Sequence, residues 1–299
     1  VHEIPKKTKV VSSLIPGNLS TYIYDNETDY YNEYRQSMFA ITTKKGGWDC
    51  MRHYEILANG CIPYFPNIED CPENTMVFLP KELLEEGNRL FEKLHRKKIN
   101  ELSEEDQNQY MELIQRLLHH TREYLTTTKM AEYVLNKSNN TNAKSILFLS
   151  GDNLDPDYLR CLLLNGFKTV FGKKCHDFPK IRHLYKDETT IDYQKLYGKG
   201  ISYSNILEQD LHDDDLDSTV EKDIETHKYD IIIYGSCHRG MPYYSMIEKY
   251  YQPDEVILLC GEDQDSYKLN NRYYSKDVHD CEYGCYADRG HSVFIRELM

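Results

Sequence analysis

The chain has 299 residues, of which 49 are acidic and 36 basic, for a formal net charge of −13. Counterion-release binding to nucleic acid or to an anionic membrane needs a dominant basic face, so this balance excludes a general role of either kind and confines any bound phosphate to a local site. The longest apolar runs, at 231–234, 256–260 and 146–149, fall far short of the roughly 18 residues of a membrane span, and the amino end lacks the basic and apolar regions of a secretory signal. The nine cysteines, an odd number set mostly in apolar patterns such as those around Cys61, Cys161 and Cys260, read as reduced core thiols of a cytoplasmic protein. The 26 tyrosines, often beside Asn, Asp or Lys, read as compositional bias rather than a binding surface.

The length suggests two domains. In the first half, short apolar segments at 9–15, 38–43, 61–65 and 76–79 alternate with helical stretches at 29–35, 48–58 and 81–96, the punctuation of a βα fold. A last helix follows, with Ser103 as N-cap and Glu104, Glu105 and Asp106 in its first turn, running with one break toward Leu135 at a length suited to bracing two domains. The run KSNNTNAK at 137–144 has no period and is rich in turn formers, so it reads as a linker between domains at 1–136 and 145–299. Beyond it, 145–150 reads as a buried strand, 156–171 as a helix with Pro156 in its first turn, and 229–235 and 256–261 as further strands. The acidic stretch HDDDLDSTVEKD at 212–223 reads most simply as a solvated loop entering a helix, with a metal site as the lesser alternative, and 265–289 shows no clear period. The predicted fold class is α/β, with two Rossmann-like domains and a ligand expected outside the carboxyl ends of the strands.

The most informative stretch is KKGGWDCMRHYEILANGCIPYFPNIEDCP, residues 44–72. At about 100° per residue, Cys50, Met51, Tyr54, Leu57 and Ala58 fall on one arc of its helix, and Asp49, Arg52, His53 and Glu55 on the other, with Ile56 intruding. A polar arc behind the glycine turn of Gly46 and Gly47 suits a phosphate ester of a polyol: backbone N–H groups and the helix dipole hold the anion, Arg52 pairs with its oxygens, and Glu55 accepts from sugar hydroxyls. The pattern equally fits an ordinary amphipathic helix whose exposed face is charged.

This stretch resembles the donor-binding region of GT-B glycosyltransferases, in which a helix carrying a Glu precedes a small-Gly-x-Pro strand, here EILANGCIPYF. It is also similar to the exostosin-type signature R-x-x-E-x-x-x-x-G-C-x-P, filled here by Arg52, Glu55, Gly60, Cys61 and Pro63. Longer runs, YIYDNETDYYNEY, FAITTKKGGWDCMRHYEILANGCIPYF and CPENTMVFLPKEL in the first half and DYLRCLLLNGFKTVFG, LYGKGISYS, YDIIIYGSCHRGMPYY, VILLCGED and VFIREL in the second, resemble a group of bacterial and large-DNA-virus glycosyltransferases. The resemblance implies a GT-B fold, a nucleotide-sugar donor held by Lys44, Lys45, Gly46, Gly47, Asp49, Arg52 and Glu55, with Glu55 on the ribose, and a glycan or other hydroxyl acceptor. The retaining pattern of two glutamates is incomplete, because the earlier position is Gly47 and Asp49 is out of register. That moves the expectation toward inversion without settling it.

An inverting transferase needs a base for the acceptor hydroxyl. His238, in GSCHRGMP after a predicted strand, is one candidate; Asp152, in SGDNLDP, and the pair Glu262 and Asp263 are rivals, with Arg239 expected on acceptor or phosphate. His279, Cys281, Cys285 and His291 are spaced unlike a zinc ribbon, and phosphate-loop, dinucleotide and nucleophile-elbow signatures are missing. No cofactor or metal is expected, the leaving diphosphate being met by positive side chains and a helix N-terminus. The reading is a glycosyltransferase; its rivals are a catalytically silent sugar- or nucleotide-binding module and another sugar-nucleotide enzyme such as an epimerase. The donor half preceding the acceptor half is the reverse of the order the resemblance implies, so a circular permutation is expected, with the head at 2–17 and the tail HSVFIREL forming consecutive parts of an interdomain crossing and Val1 near Met299.

Overall fold

A computed structural model describes residues 3–264 and 283–298. It divides into two compact units, Val1–Thr126 and Thr127–Met299. Each is α/β with a wholly parallel sheet.

In the first unit β1 (Lys9–Val11), β2 (Ser37–Ile41) and β3 (Ile62–Tyr64) lie in chain order, with α1 (Glu27–Gln36) and α2 (Met51–Ala58) as the crossovers. Phe39 and Ile62 face each other in register and are completely buried. α3 (Lys81–Leu94) presses on β3 so closely that a Cβ on Gly87 would lie 2.7 Å from Ile62 Cγ2. α4 (Glu104–Tyr124) starts as its sequence requires: Asp106 N donates to Ser103 Oγ at 3.1 Å and Ser103 N to Asp106 Oδ2 at 3.2 Å, a capping box of the kind worth about 1 kcal/mol. The break in the predicted long helix falls at Leu125 and Thr126, and it is also the boundary between units. The next helix, α5 (Thr127–Lys137), belongs to the second unit, since Ala131, Val134 and Leu135 are buried in the same core as Leu163, Leu164 and Phe167. The division therefore precedes 137–144 rather than coinciding with it. The segment 76–79 is no strand: Met76 takes φ 48°, Met76 and Leu79 turn inward and Val77 is half exposed.

The second unit has strand order β5-β4-β6-β7-β8, formed by β4 (Ile146–Leu149), β5 (Cys175–Phe178), β6 (Ile231–Tyr234), β7 (Val256–Gln264) and β8 (Ser292–Leu298). β4 and β6 are buried along their whole length, as expected of parallel strands covered on both faces. On one side lie Phe148, Leu164 and Phe167 of the core that includes α6 (Tyr158–Phe171); on the other lie Leu147, Leu149, Val220, Ile224 and Ile247, the last three from α8 (Val220–Glu225) and α9 (Tyr244–Tyr250). The chain leaves β4 for β5 on one side and returns to β6 on the other, so the connection reverses at β4. In doubly wound sheets this reversal opens a ligand crevice at the strands' carboxyl ends. The tail HSVFIREL is the outer strand of this sheet, paired along β7, and not part of an interdomain crossing. Val1 and Met299 lie outside the described residues. Among the described residues no helix is long and apolar enough to cross a membrane.

Candidate functional site

In the first unit, β2 ends at Ile41 and the chain runs through Thr42 and the glycine turn into α2. The helix is rotated from the face its pattern suggests. Arg52, His53, Ile56 and Leu57 are the buried positions, Met51 is half-buried and Ala58 is exposed. The wheel assigned polar residues outward, but Arg52 and His53 find partners inside. His53 Nε2 lies 2.8 Å from the Trp48 carbonyl, which only accepts, so Nε2 carries the proton. His53 Nδ1 then accepts from Thr42 Oγ1 at 2.8 Å, and Thr42 Oγ1 in turn accepts from Arg52 Nε at 3.1 Å. Burial pushes the His53 pKa down to about 4, so this imidazole is a neutral strut. The Arg52 guanidinium also donates to the Thr43 carbonyl at 3.3 Å. Arg52 thus braces the loop from within instead of projecting from an outer polar arc.

The remaining polar groups sit around this strut. Glu55 Oε2 accepts from Tyr30 OH at 2.7 Å, and Tyr30 shares a 3.0 Å hydrogen bond with Tyr34. Burial and then the Glu55 charge push the Tyr30 pKa up, so the phenol stays a donor. Asp49 accepts from Tyr54 OH at 2.8 Å. Lys44, Lys45 and Gly46 are exposed and Gly47 is buried; Lys44 Nζ stands 4.9 Å from the Trp48 ring centroid. Cys50 stands at the N-cap of α2 without a side-chain capping bond, its Sγ accepting instead from Arg52 Nη2 at 3.5 Å.

Sequence reasoning missed Glu33. The residue is 5% exposed, and its carboxylate accepts from Lys9 Nζ (2.6 Å), Ser12 Oγ (2.9 Å), Ser13 N (2.7 Å), Ser13 Oγ (2.9 Å) and Tyr24 OH (2.9 Å), tying down the loop after β1. The spacing of Tyr30, Glu33 and Tyr34, one face of α1, was the available signal, and dismissing tyrosine as compositional hid it.

In the second unit the sequence candidates gather where β4 and β6 part. Asp152 N donates to the Arg239 carbonyl at 2.9 Å. A Cβ on Gly240, whose φ is 112°, would lie 2.0 Å from Asp152 Oδ2. Asp152 is exposed. The His238 side chain is only 4% exposed, with Nε2 3.3 Å from Asp157 Oδ2. Arg239 is spent on the loop before α6, its Nη2 donating to the Pro156 carbonyl at 3.1 Å. The residue at the centre is one the sequence reading passed over: Asp157 caps α6 through Oδ1 to Arg160 N (3.2 Å) and accepts from Ser236 Oγ on Oδ2 (2.7 Å). Its signal was local, an Asp after Pro156 at a helix start. Glu262 is exposed beside an irregularity in the β7–β8 register, while the side chain of Asp263 lies outside the described residues.

The His/Cys group near the carboxyl end is partly outside the described residues, which omit His279 and Cys281. Cys285 is exposed, and both ring nitrogens of His291 have protein partners, Nδ1 donating to the Tyr286 carbonyl and Nε2 accepting from Tyr244 OH, each at 3.1 Å. No family model, curated protein or solved structure matches the chain.

Proposed function

We propose that this chain is a glycosyltransferase of the GT-B kind, moving a sugar from a nucleoside-diphosphate donor to a hydroxyl acceptor, most simply with inversion. The observation that carries this reading is the placement of the polar residues: in each unit they stand at the carboxyl ends of parallel strands, at 42–55 after β2 and at Asp152 and His238 beside the β4–β6 reversal. The GT-B arrangement of the two units belongs to the proposal. In it the exposed Lys44 and Lys45, the N–H groups of the Gly46–Gly47 turn and the start of α2 take the diphosphate, a role suited to backbone donors at a helix N-terminus. Glu55, oriented by Tyr30, accepts from ribose hydroxyls. Arg52 positions this loop. As the acceptor oxygen bonds to the anomeric carbon, the bond to the diphosphate oxygen breaks and the acceptor's proton passes to a carboxylate or imidazole. Asp152, exposed where His238 is tucked against Asp157, takes that proton in preference.

A thermal-shift series with nucleoside diphosphates and nucleotide sugars tests the proposal, since a ligand at 100 times its Kd adds about 2.7 kcal/mol of stability. A shift abolished by Glu55→Gln supports the donor assignment, and release of free nucleoside diphosphate separates a transferase from a silent module or an epimerase. A shift abolished by Asp152→Asn and untouched by Glu55→Gln would move the nucleotide to the second unit. No shift with any of them would end the proposal.

A further inference from the structure

β5 is the other outer strand of the second sheet, and side chains of the acidic stretch that follows residue 211, including α7 (Asp214–Asp217), reach it. His212 and Asp217 come from that stretch, and His176 from β5. One ligand atom from each can be chosen so that all lie within 4.8 Å of one another. His176 Nε2 is 3.2 Å from Asp217 Oδ1, and His212 Nε2 is 3.3 Å from the same oxygen.

A hydrogen-bonded ion cluster accounts for only part of this. His212 could be a protonated ring held between Asp177 on Nδ1 (2.9 Å) and Asp217 Oδ2 on Nε2 (3.4 Å). That leaves His176 unexplained. Its ring is 1% exposed, and among the described residues neither nitrogen has a hydrogen-bond partner, the 3.2 Å approach to Asp217 lacking the required direction. Asp217 Oδ1 is buried and, among the described residues, likewise has no hydrogen-bond partner. Leaving such groups bare costs about 1–3 kcal/mol each, and native proteins seldom do so.

We propose that His176, His212 and Asp217 bind a divalent transition-metal cation, zinc(II) first among them, as a clasp between β5 and α7. Zinc bonds of about 2.0–2.1 Å in a tetrahedron set neighbouring ligand atoms about 3.3–3.4 Å apart; the two separations to Asp217 Oδ1, 3.2 and 3.3 Å, meet that spacing, and the two imidazoles come within 4.8 Å of each other. Asp214 Oδ1, 3.4 Å from His212 Nε2 on the exposed rim, stands where a fourth ligand or a water would complete the shell. The surroundings suit a metal-bound imidazole. Asp177 fixes His212 Nδ1 as donor and turns the Nε2 lone pair toward the site, an outer-shell carboxylate of the kind that metal-ligating histidines use. Asp177 is itself held by Lys168 Nζ and Tyr185 OH, both at 2.7 Å. Two imidazoles and one carboxylate favour zinc or a neighbouring transition metal over magnesium or calcium, which take oxygen ligands. The clasp ties β5 to α7, and it does not depend on the glycosyltransferase reading.

Full-length protein, purified without metal-affinity resin and dialysed against chelator, is titrated with cobalt(II) alone and then zinc(II). The expected result is a tetrahedral cobalt absorption that saturates at one equivalent per chain, is displaced by zinc, and accompanies a rise in Tm. Asp217→Asn should weaken zinc binding by ~100-fold with unchanged far-UV circular dichroism, while His119→Ala, on the exposed face of α4, should leave it unchanged. A folded wild-type chain that shows neither the absorption nor the Tm rise overturns the proposal, as does Asp217→Asn binding zinc as tightly as wild type. The wild-type titration decides the matter if the variant does not fold.

Discussion

Gly166→Ala puts the packing of α5 on α6 to a quantitative test. A Cβ built on Gly166 would lie 2.1 Å from the Thr127 carbonyl oxygen and 2.7 Å from its carbon, both backbone atoms. An ordinary carbon–oxygen approach is about 3.3 Å, so α5 must retreat by roughly 1 Å. Overpacking of this kind costs about 1–3 kcal/mol, and with no flexible side chain to yield the upper end applies. The retreat also stretches the 2.8 Å bond from Thr127 Oγ1 to Asn165 Oδ1, which is worth about 1 kcal/mol. Against these stands the gain of about 1 kcal/mol from replacing glycine by alanine inside a helix. The net expectation is a loss of about 3 kcal/mol. Urea unfolding followed by circular dichroism should show the lower midpoint, with the fluorescence of Trp48, the sole tryptophan and a member of the first unit, as the reference for the unit that is not altered. A midpoint equal to or above that of wild type would mean that propensity governs this helix and that the close approach of α5 is not what fixes it.

Arg52→Met should destabilise the first unit by about 1–3 kcal/mol, because it strips donors from Thr42 Oγ1 and the Thr43 carbonyl; chemical denaturation reads this, and an unchanged midpoint would return Arg52 to the surface. Arg160→Met should cost at least about 2 kcal/mol, since this fully buried guanidinium donates to the carbonyls of Asn153 at 2.8 Å and Asp155 at 2.6 Å, and the loop carrying Asp152 should become sensitive to proteolysis. Stability should fall on acidification in two stages. Burial holds His53 and His183 at about 4, below the usual 6.5, so the unfolded state takes up protons first and stability declines from pH 6.5 toward 4. Glu33 is pushed up by burial but held down more strongly by Lys9, Ser13 and Tyr24, to about 2 from 4.5; its contribution is present above pH 4.5 and lost toward pH 2, and Glu33→Gln should flatten that limb in equilibrium unfolding across pH.

Features set by neighbours in the chain were legible in the sequence. Ser103 and Asp106 are three residues apart, and their reciprocal capping bonds need nothing from elsewhere in the fold; the buried runs of β4 and β6 were read from their unbroken apolar character. What escaped depended on distant partners. β5 spells CHDF, and its Asp177 is tolerable in a buried strand only because Lys168, Tyr185 and His212 arrive beside it. α2 misled for the same reason, since charge on Arg52 and His53 implied solvent until Thr42 and the Trp48 carbonyl supplied partners. Within the candidate site, Asp152 and His238 were found by their position after strands, whereas Asp157, which binds the residues around it together, was hidden as a helix cap.

The strand order of the second sheet has a consequence for synthesis on the ribosome. The first unit is assembled from one uninterrupted stretch with its strands side by side in chain order, so it can close its core as it emerges. The second cannot do so progressively: β4 gains its inner neighbour β6 only after residue 230, and β7 stays an open edge until β8 follows. Until then the strongly apolar strands ILFL and, later, VILLC each keep one edge of unpaired backbone, a condition that invites association between nascent chains. The acidic residues at 213–217, made just before β6, put like charge on the emerging chain and oppose such association while the sheet is incomplete.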